Sequence, residues 1–252
     1  RDCLLSRGLG DVYKRQPLCS VITSIDYDHM QFLGDSLGKI AEAKAGIIKE
    51  GCPVIALKQR EEVNRVILNR AKEQQSSCIL VDAAECRLLH MSLDGLELEH
   101  PYYGKVFTKL SGGYQRENLA LALAVLKELN QRIYPLERKE GCNGTAEAAW
   151  EGRFQVLMRK PLFVIDGAHN PAAVQRLKET VEKDFTNRRI IYIIGVLEDK
   201  ERVPMLEGLL SGAGQVYTVT PHNPRALDGR ILAKEAAEYA RHVELSLIHI
   251  SE

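Results

Sequence analysis

Strand-like and helix-like segments alternate along most of the chain, and that alternation predicts an α/β protein on a mainly parallel sheet. Two further observations divide it. Residues 134–150 are polar, contain glycine and lack sustained periodicity, which reads as a linker. Beyond them the alternation resumes, predicting a smaller Rossmann-like α/β domain over 151–244, after a first domain over 17–133. Residues 1–16, "RDCLLSRGLGDVYKRQ", and 245–252, "LSLIHISE", fit neither the strands nor the helices beside them. Both read as non-native, adapter-like segments, so the chain is expected to be an internal piece of a longer protein.

Each element has a local reason. "LCSVITSI" is a β-branched run that stops at an acidic, His-containing turn, and Asp35 or Ser36 is placed to cap a helix expected to end at Gly51, with Pro53 just beyond. "PVIALK" reads as the next strand. "EEVNRVILNRAKEQ" repeats Val63, Val66, Ile67 and Arg70 at helical spacing, and "CILVD" is a third strand. The segment from Cys86 to Gly113 changes to short alternating runs around the turn dipeptide Asp94-Gly95, which predicts hairpins at one edge. "YQRENLALALAVLKELN" is an amphipathic helix. In the second domain the strands are "PLFVID", "RRIIYIIG" and "QVYTVT", and the helices "NPAAVQRLKETVEKDF", "KERVPMLEGLLS" and "RILAKEAAEYARHVE".

The 252 residues carry 34 basic and 34 acidic side chains, so net charge points to no nucleic acid and no membrane surface as partner. No apolar run approaches the ~20 residues of a membrane span, and the first residues lack the continuous apolar stretch of a secretory signal. The six cysteines form no C-x-x-C pair, which favours free thiols in a reducing, cytoplasmic setting over disulfides or zinc.

Ligands of open parallel sheets bind where strands end at their carboxyl edge, because backbone N–H groups and helix N-termini converge there. Two such loops are chemically loaded. "IDYDH" offers Asp26, Asp28 and His29 as ligands or acid/base groups, although an Asp/His turn is more often a solvated cap than a site. In "VIDGAHNPAAV", Asn170-Pro171 has the form of an N-cap followed by proline at the first helical position. Capping alone accounts for Asn170 but not for Asp166 or His169, placed where a sugar hydroxyl or phosphate would sit.

Lys44 raises a separate question. It falls four after Ile40 and three before Ile47, on the apolar stripe of its helix. One reading is a stem lying along the core with its ammonium in water. The other is chemical: apolar surroundings favour the neutral amine, which reacts with carbon dioxide to give an anionic oxygen ligand suited to magnesium.

The stretches "VITSIDYDHMQFLGD", "EAKAGII", "YQRENLALA", "EGRFQV", "VIDGAHNPAA" and "GVLEDKE" occur in an order and spacing that resembles folylpolyglutamate synthase, often also dihydrofolate synthase, of the Mur ligase superfamily. "TSIDYDH" and "DGAHNP" favour this folate branch over the peptidoglycan ligases. The resemblance implies that residues 17–133 are the C-terminal part of a P-loop-type central ATP-binding domain and that 151–244 are a truncated C-terminal domain. It implies that His29 binds magnesium, that Lys44 is the carbamylated lysine, and that Asn118 contacts the nucleotide base. It further implies that Arg153 reaches the ATP phosphates, that Asp166 holds the ribose, and that His169 lies in the active site. ATP and Mg2+, with a monovalent cation as a further candidate, are the implied cofactors. A folate or dihydropteroate acceptor and L-glutamate are the implied partners, and a monomer the implied state.

Departures accompany the match. No G-x-x-x-x-G-K-[ST] phosphate cradle occurs anywhere in the chain, and Tyr114 stands where the family often has histidine. The expected reaction is ATP-dependent amide ligation through an acyl phosphate, and the chain alone, lacking the cradle, is expected to be inactive. The rival readings are a UDP-muramoyl peptide ligase and a non-catalytic nucleotide-binding α/β protein. A nicotinamide dehydrogenase is disfavoured, since no G-x-G-x-x-G follows a strand.

Overall fold

The computed structural model describes residues 17–27, 36–132, 135 and 137–246. His29 and Asp28 lie outside the described residues. The chain separates into two compact units: Leu96–Lys109 and Tyr114–Ala148 join the residues up to His90 in the first, while Met91–Gly95 and Leu110–Gly113 join those from Ala149 onward in the second.

In the first unit, β1 (Ser20–Ile22), β2 (Val54–Leu57) and β3 (Cys78–Val81) form a parallel sheet in that order, with Val21 opposite Ile55 and Ile55 opposite Ile79. Central β2 is buried at every residue, as a parallel strand covered on both faces requires. Helices α1 (Leu37–Ala45) and α2 (Glu61–Glu73) make the crossovers and put Leu37, Ile40, Ala41, Val63, Ile67 and Ala71 into one core with Ile22, Val54 and Ala56. Ser36 caps α1 by accepting the Lys39 N–H at 3.4 Å.

Helix α1 is shorter than its sequence predicts. It ends at Ala45, and i to i+3 bonds follow, from Ile47 N–H to the Lys44 carbonyl and from Ile48 N–H to the Ala45 carbonyl. This tighter winding turns Ile48 into the core at 1% exposure and leaves Ile47 at 42%. The stripe is therefore Leu37, Ile40, Ala41, Ala45 and Ile48, and Lys44, four after Ile40 and four before Ile48, sits half-buried on it. Gly51, expected to close the helix, instead takes a left-handed φ of 65° in the turn leading to β2.

Strands β4 (Arg87–Ser92), β5 (Gly95–His100) and β6 (Gly104–Thr108) form a separate three-stranded sheet, with Leu96 opposite Thr108 across the antiparallel β5–β6 pair. Helix α3 (Gln115–Arg132) follows as expected. The stretch read as a linker carries a helix, α4 (Arg138–Glu147), started by a capping box in which Glu137 and Glu140 satisfy each other's backbone N–H. Thr145 on its buried face donates to the Phe107 carbonyl of β6 at 3.2 Å.

The second unit opens with an antiparallel pair, β7 (Gln155–Arg159) and β8 (Leu162–Ile165), of which only β8 was legible in the sequence. Then come α5 (Pro171–Asp184), β9 (Ile191–Ile194), α6 (Arg202–Leu210), β10 (Gln215–Thr218), α7 (Gly229–Ala236) and β11 (Val243–Leu245). Strands β9, β10 and β11 form a parallel sheet with β10 in the centre. Its core joins Leu206, Leu210, Val216, Leu227, Leu232 and Ala236, with Tyr192 packed against it. The Arg202 guanidinium grips Glu235 at both carboxylate oxygens, 2.8 and 3.0 Å, tying α6 to α7. The last expected helix stops at Ala236, and 243–245 form strand β11. Leu245, assigned from sequence to the non-native segment, pairs with Thr218.

Candidate functional site

Three of the residues singled out from sequence, Arg153, Asp166 and His169, lie on two neighbouring loops of the second unit. The turn before β7 contains Gly152 with φ 70° and Phe154 with φ 48°. The loop after β8 runs from Asp166 to Asn170. The Gly167 N–H donates to the Gly152 carbonyl at 2.8 Å, and Asp166 Oδ2 accepts the Phe154 N–H at 2.8 Å. Its other oxygen, Oδ1, accepts the Ala168 N–H at 2.8 Å. The carboxylate thus stitches the two loops together. The Gln155 side chain closes the turn by accepting the Gly152 N–H at 2.9 Å.

This stitching puts the exposed Arg153 beside Gly167. A Cβ on Gly167 would lie 3.3 Å from the Gly152 carbonyl oxygen and 3.7 Å from Arg153 Nη1, so glycine lets the two backbones close up. Phe154 anchors the turn from below: it is 2% exposed and its ring stacks on Phe185 with centroids 6.3 Å apart. The exposed His169 has Nδ1 2.9 Å from the Gly167 carbonyl oxygen. A carbonyl only accepts, so Nδ1 carries the proton. Asn170 caps α5 through the Ala173 N–H at 2.8 Å with Pro171 at the first helical position, as its dipeptide predicts. The arrangement offers a guanidinium, an imidazole and a helix N-terminus on one rim, a chemistry suited to oxyanions.

Lys44 and Asn118 belong to the first unit and stand on different helices. Lys44 is in the last turn of α1. Asn118 is exposed in the first turn of α3, where its side-chain N–H donates to Gln115 Oε1 at 3.0 Å. Among the described residues no three His, Cys, Asp or Glu side chains stand close enough to hold a metal ion.

At the carboxyl edge of the β1–β2–β3 sheet the structure adds residues that sequence reading missed. Gln59, just after β2, and Asn64, in α2, tie the segment after β1 to the sheet. Lys58 and Asp82 pair across the ends of β2 and β3 at 2.9 Å, and that hydrogen bond holds the lysine above and the carboxyl below their ordinary values. The only signal in the sequence was positional, in that Lys58 and Asp82 directly follow strands.

A family model described as Mur ligase, glutamate ligase domain, matches residues 152–251. The dihydrofolate synthase/folylpolyglutamate synthase of Bacillus subtilis is 33% identical over 219 residues, which cover 84% of this chain and 50% of that protein. The folylpolyglutamate synthase of Mycobacterium tuberculosis, solved with ADP, superposes with a TM-score of 0.78 at 29% identity, over 90% of this chain and 52% of that one. A folylpolyglutamate synthase solved with AMPPCP and folate gives 0.72 at 26% identity, over 91% of this chain and 58% of that one. The chain spans about half the length of the curated relatives it matches. No helix among the described residues is long and apolar enough to cross a membrane. With sequence and fold in agreement over most of its length, the chain is a homologue of the folylpolyglutamate and dihydrofolate synthases, and its residues 152–251 are a Mur ligase glutamate ligase domain.

Proposed function

We propose that these residues form the C-terminal part of an ATP-dependent ligase that adds L-glutamate to dihydropteroate, to the γ-carboxylate of a folate, or to both. The observation that carries the reading is the stitched pair of loops that puts Arg153, Asp166 and His169 on one rim within the glutamate ligase domain. The relatives solved with ADP, and with AMPPCP and folate, support both the nucleotide and the acceptor.

In this reading an acceptor carboxylate oxygen attacks the γ-phosphorus of ATP, and the bond to ADP breaks to leave an acyl phosphate. The glutamate nitrogen then attacks the acyl carbon, phosphate departs with the bonding electrons, and the nitrogen loses a proton. Little covalent chemistry is asked of side chains in such transfers, so positioning and charge neutralisation dominate. Arg153 neutralises phosphate oxygens. Asp166 orders the loop and presents its remaining acceptor capacity to a ribose hydroxyl, and Asn118 meets the base. His169 borders the reacting groups. Lys44, as a carbamate, and His29 belong to the same reading as magnesium ligands. No step is assigned to that ion. The P-loop-type origin of residues 17–133, a monomeric state and a cytoplasmic location are further parts of the proposal.

The test is glutamate-dependent release of phosphate from ATP, in a polypeptide of the relatives' length that contains this chain. Turnover with dihydropteroate or a folate, and none with UDP-muramoyl acceptors, is expected. Turnover with UDP-muramoyl acceptors instead would replace the folate assignment, and no turnover with any acceptor would leave the non-catalytic reading. The chain alone, without a phosphate cradle, is expected to give none.

A further inference from the structure

Two side-chain amides in series connect helix α2 to the loop that leaves β1. Asn64 grips the backbone of Gln59 from both sides: its Oδ1 accepts the Gln59 N–H at 3.0 Å and its Nδ2 donates to the Gln59 carbonyl at 2.8 Å. Gln59 repeats the grip one layer on. Its Oε1 accepts the Ile25 N–H at 2.7 Å, while its Nε2 donates to the Thr23 carbonyl at 3.3 Å and the Leu57 carbonyl at 3.1 Å. Both amide orientations follow from the partners, since a backbone N–H only donates and a carbonyl only accepts. Ile25, at the gripped N–H, is 4% exposed in the core of the first unit.

β1 is three residues long, and the segment after it has left the ladder, so its backbone groups need partners from elsewhere. Gln59 supplies them from the end of β2, the neighbouring strand. We propose that Gln59, itself held by Asn64, is a positioning residue that fixes the Thr23–Asp26 backbone for the ligase reaction. The inference rests on the proposed function only for its catalytic consequence; the grip itself does not. Because Gln59 holds the loop by donors and acceptors together, neither a carboxylate nor an apolar isostere reproduces it. Gln59→Glu keeps the acceptor for Ile25 but sets oxygen against the Thr23 and Leu57 carbonyls. Gln59→Leu removes both functions, and Asn64→Asp loses the donor to the Gln59 carbonyl.

Two measurements decide it. Amide hydrogen exchange on the 252-residue chain should be at least about tenfold faster at Ile25 in Gln59→Leu, Gln59→Glu and Asn64→Asp, with the Val54 N–H, bonded to the Ser77 carbonyl, as unchanged control. In the polypeptide of the relatives' length, the same variants should lower kcat by about tenfold or more with KM for ATP within about twofold and an unchanged melting transition. Equal exchange at Ile25 in wild type and all variants overturns the proposal, and so does faster exchange with unchanged kcat. A parallel loss of kcat and melting temperature also overturns it, by showing a structural role. If the unsubstituted polypeptide turns over no acceptor, the ligase reading falls with the catalytic half of this inference, and the exchange data still decide whether the grip exists.

Discussion

The loop after β1 and the loop after β8 occupy equivalent places, each at the carboxyl end of a strand, yet they are held by opposite means. In the first unit the holding groups are neutral amides brought in from the next strand and helix, Gln59 and Asn64. In the second the holding group belongs to the loop itself: the Asp166 carboxylate takes N–H groups from Phe154, in the turn before β7, and from Ala168. An amide grip can offer donors as well as acceptors, so it can seize carbonyls; a carboxylate can only collect N–H groups. The difference teaches that an acid at a strand end is not thereby free for chemistry. Asp166 would meet a ligand with whatever acceptor capacity its structural duties leave.

Substitutions break or sharpen this contrast. The largest effect is expected for Phe154→Ala, which removes the buried ring under the Asp166 loop and should destabilise the second unit by about 3–4 kcal/mol in urea unfolding. A loss below about 1 kcal/mol would mean that the carboxylate, not the ring, secures the turn. Asp166→Asn keeps one oxygen and turns an N–H2 group toward the second N–H. It should cost about 1–3 kcal/mol by the same measurement, and no loss would show the stitch to be dispensable. Smaller still is the cap: Asn170→Ala should cost about 1 kcal/mol, and Ser36→Ala, whose cap bond is 3.4 Å against 2.8 Å, less than that.

One effect is silent at neutral pH. Tyr192, packed against the β9–β11 core, has its hydroxyl pushed up to about 12 by burial. Between pH 10 and 12 the unfolded chain gives up that proton while the folded chain keeps it, so stability is complete below about 10 and falls as pH rises toward 12. Tyr192→Phe should flatten the alkaline limb of the stability profile. An unchanged limb would assign the loss to other groups.

What was legible in the sequence was local. Asn170-Pro171 announced its own cap, and β2 and β3 announced themselves by apolar runs between turns, because those signals need no distant partner. The site was half legible: Asp166 could be placed at a strand end, but the Phe154 N–H it accepts is 12 residues away and belongs to a strand pair the sequence did not reveal. Ile47 was misplaced on the stripe because a one-residue change in winding after Ala45 exchanges it for Ile48. Helix α4 was hidden by Gly141 and Gly144, low helix formers that the capping box and the packing of Thr145 outweigh.

Phe154 carries one further consequence. A bulky residue with φ 48° sits in a backbone region that costs it about 1–2 kcal/mol, while burial of its ring returns about 3 kcal/mol. Glycine or asparagine would relax the main chain and empty the space; leucine or methionine would fill much of the space and keep the strain. Each of these replacements trades one contribution against the other, so backbone strain and ring burial at position 154 are relieved or lost separately.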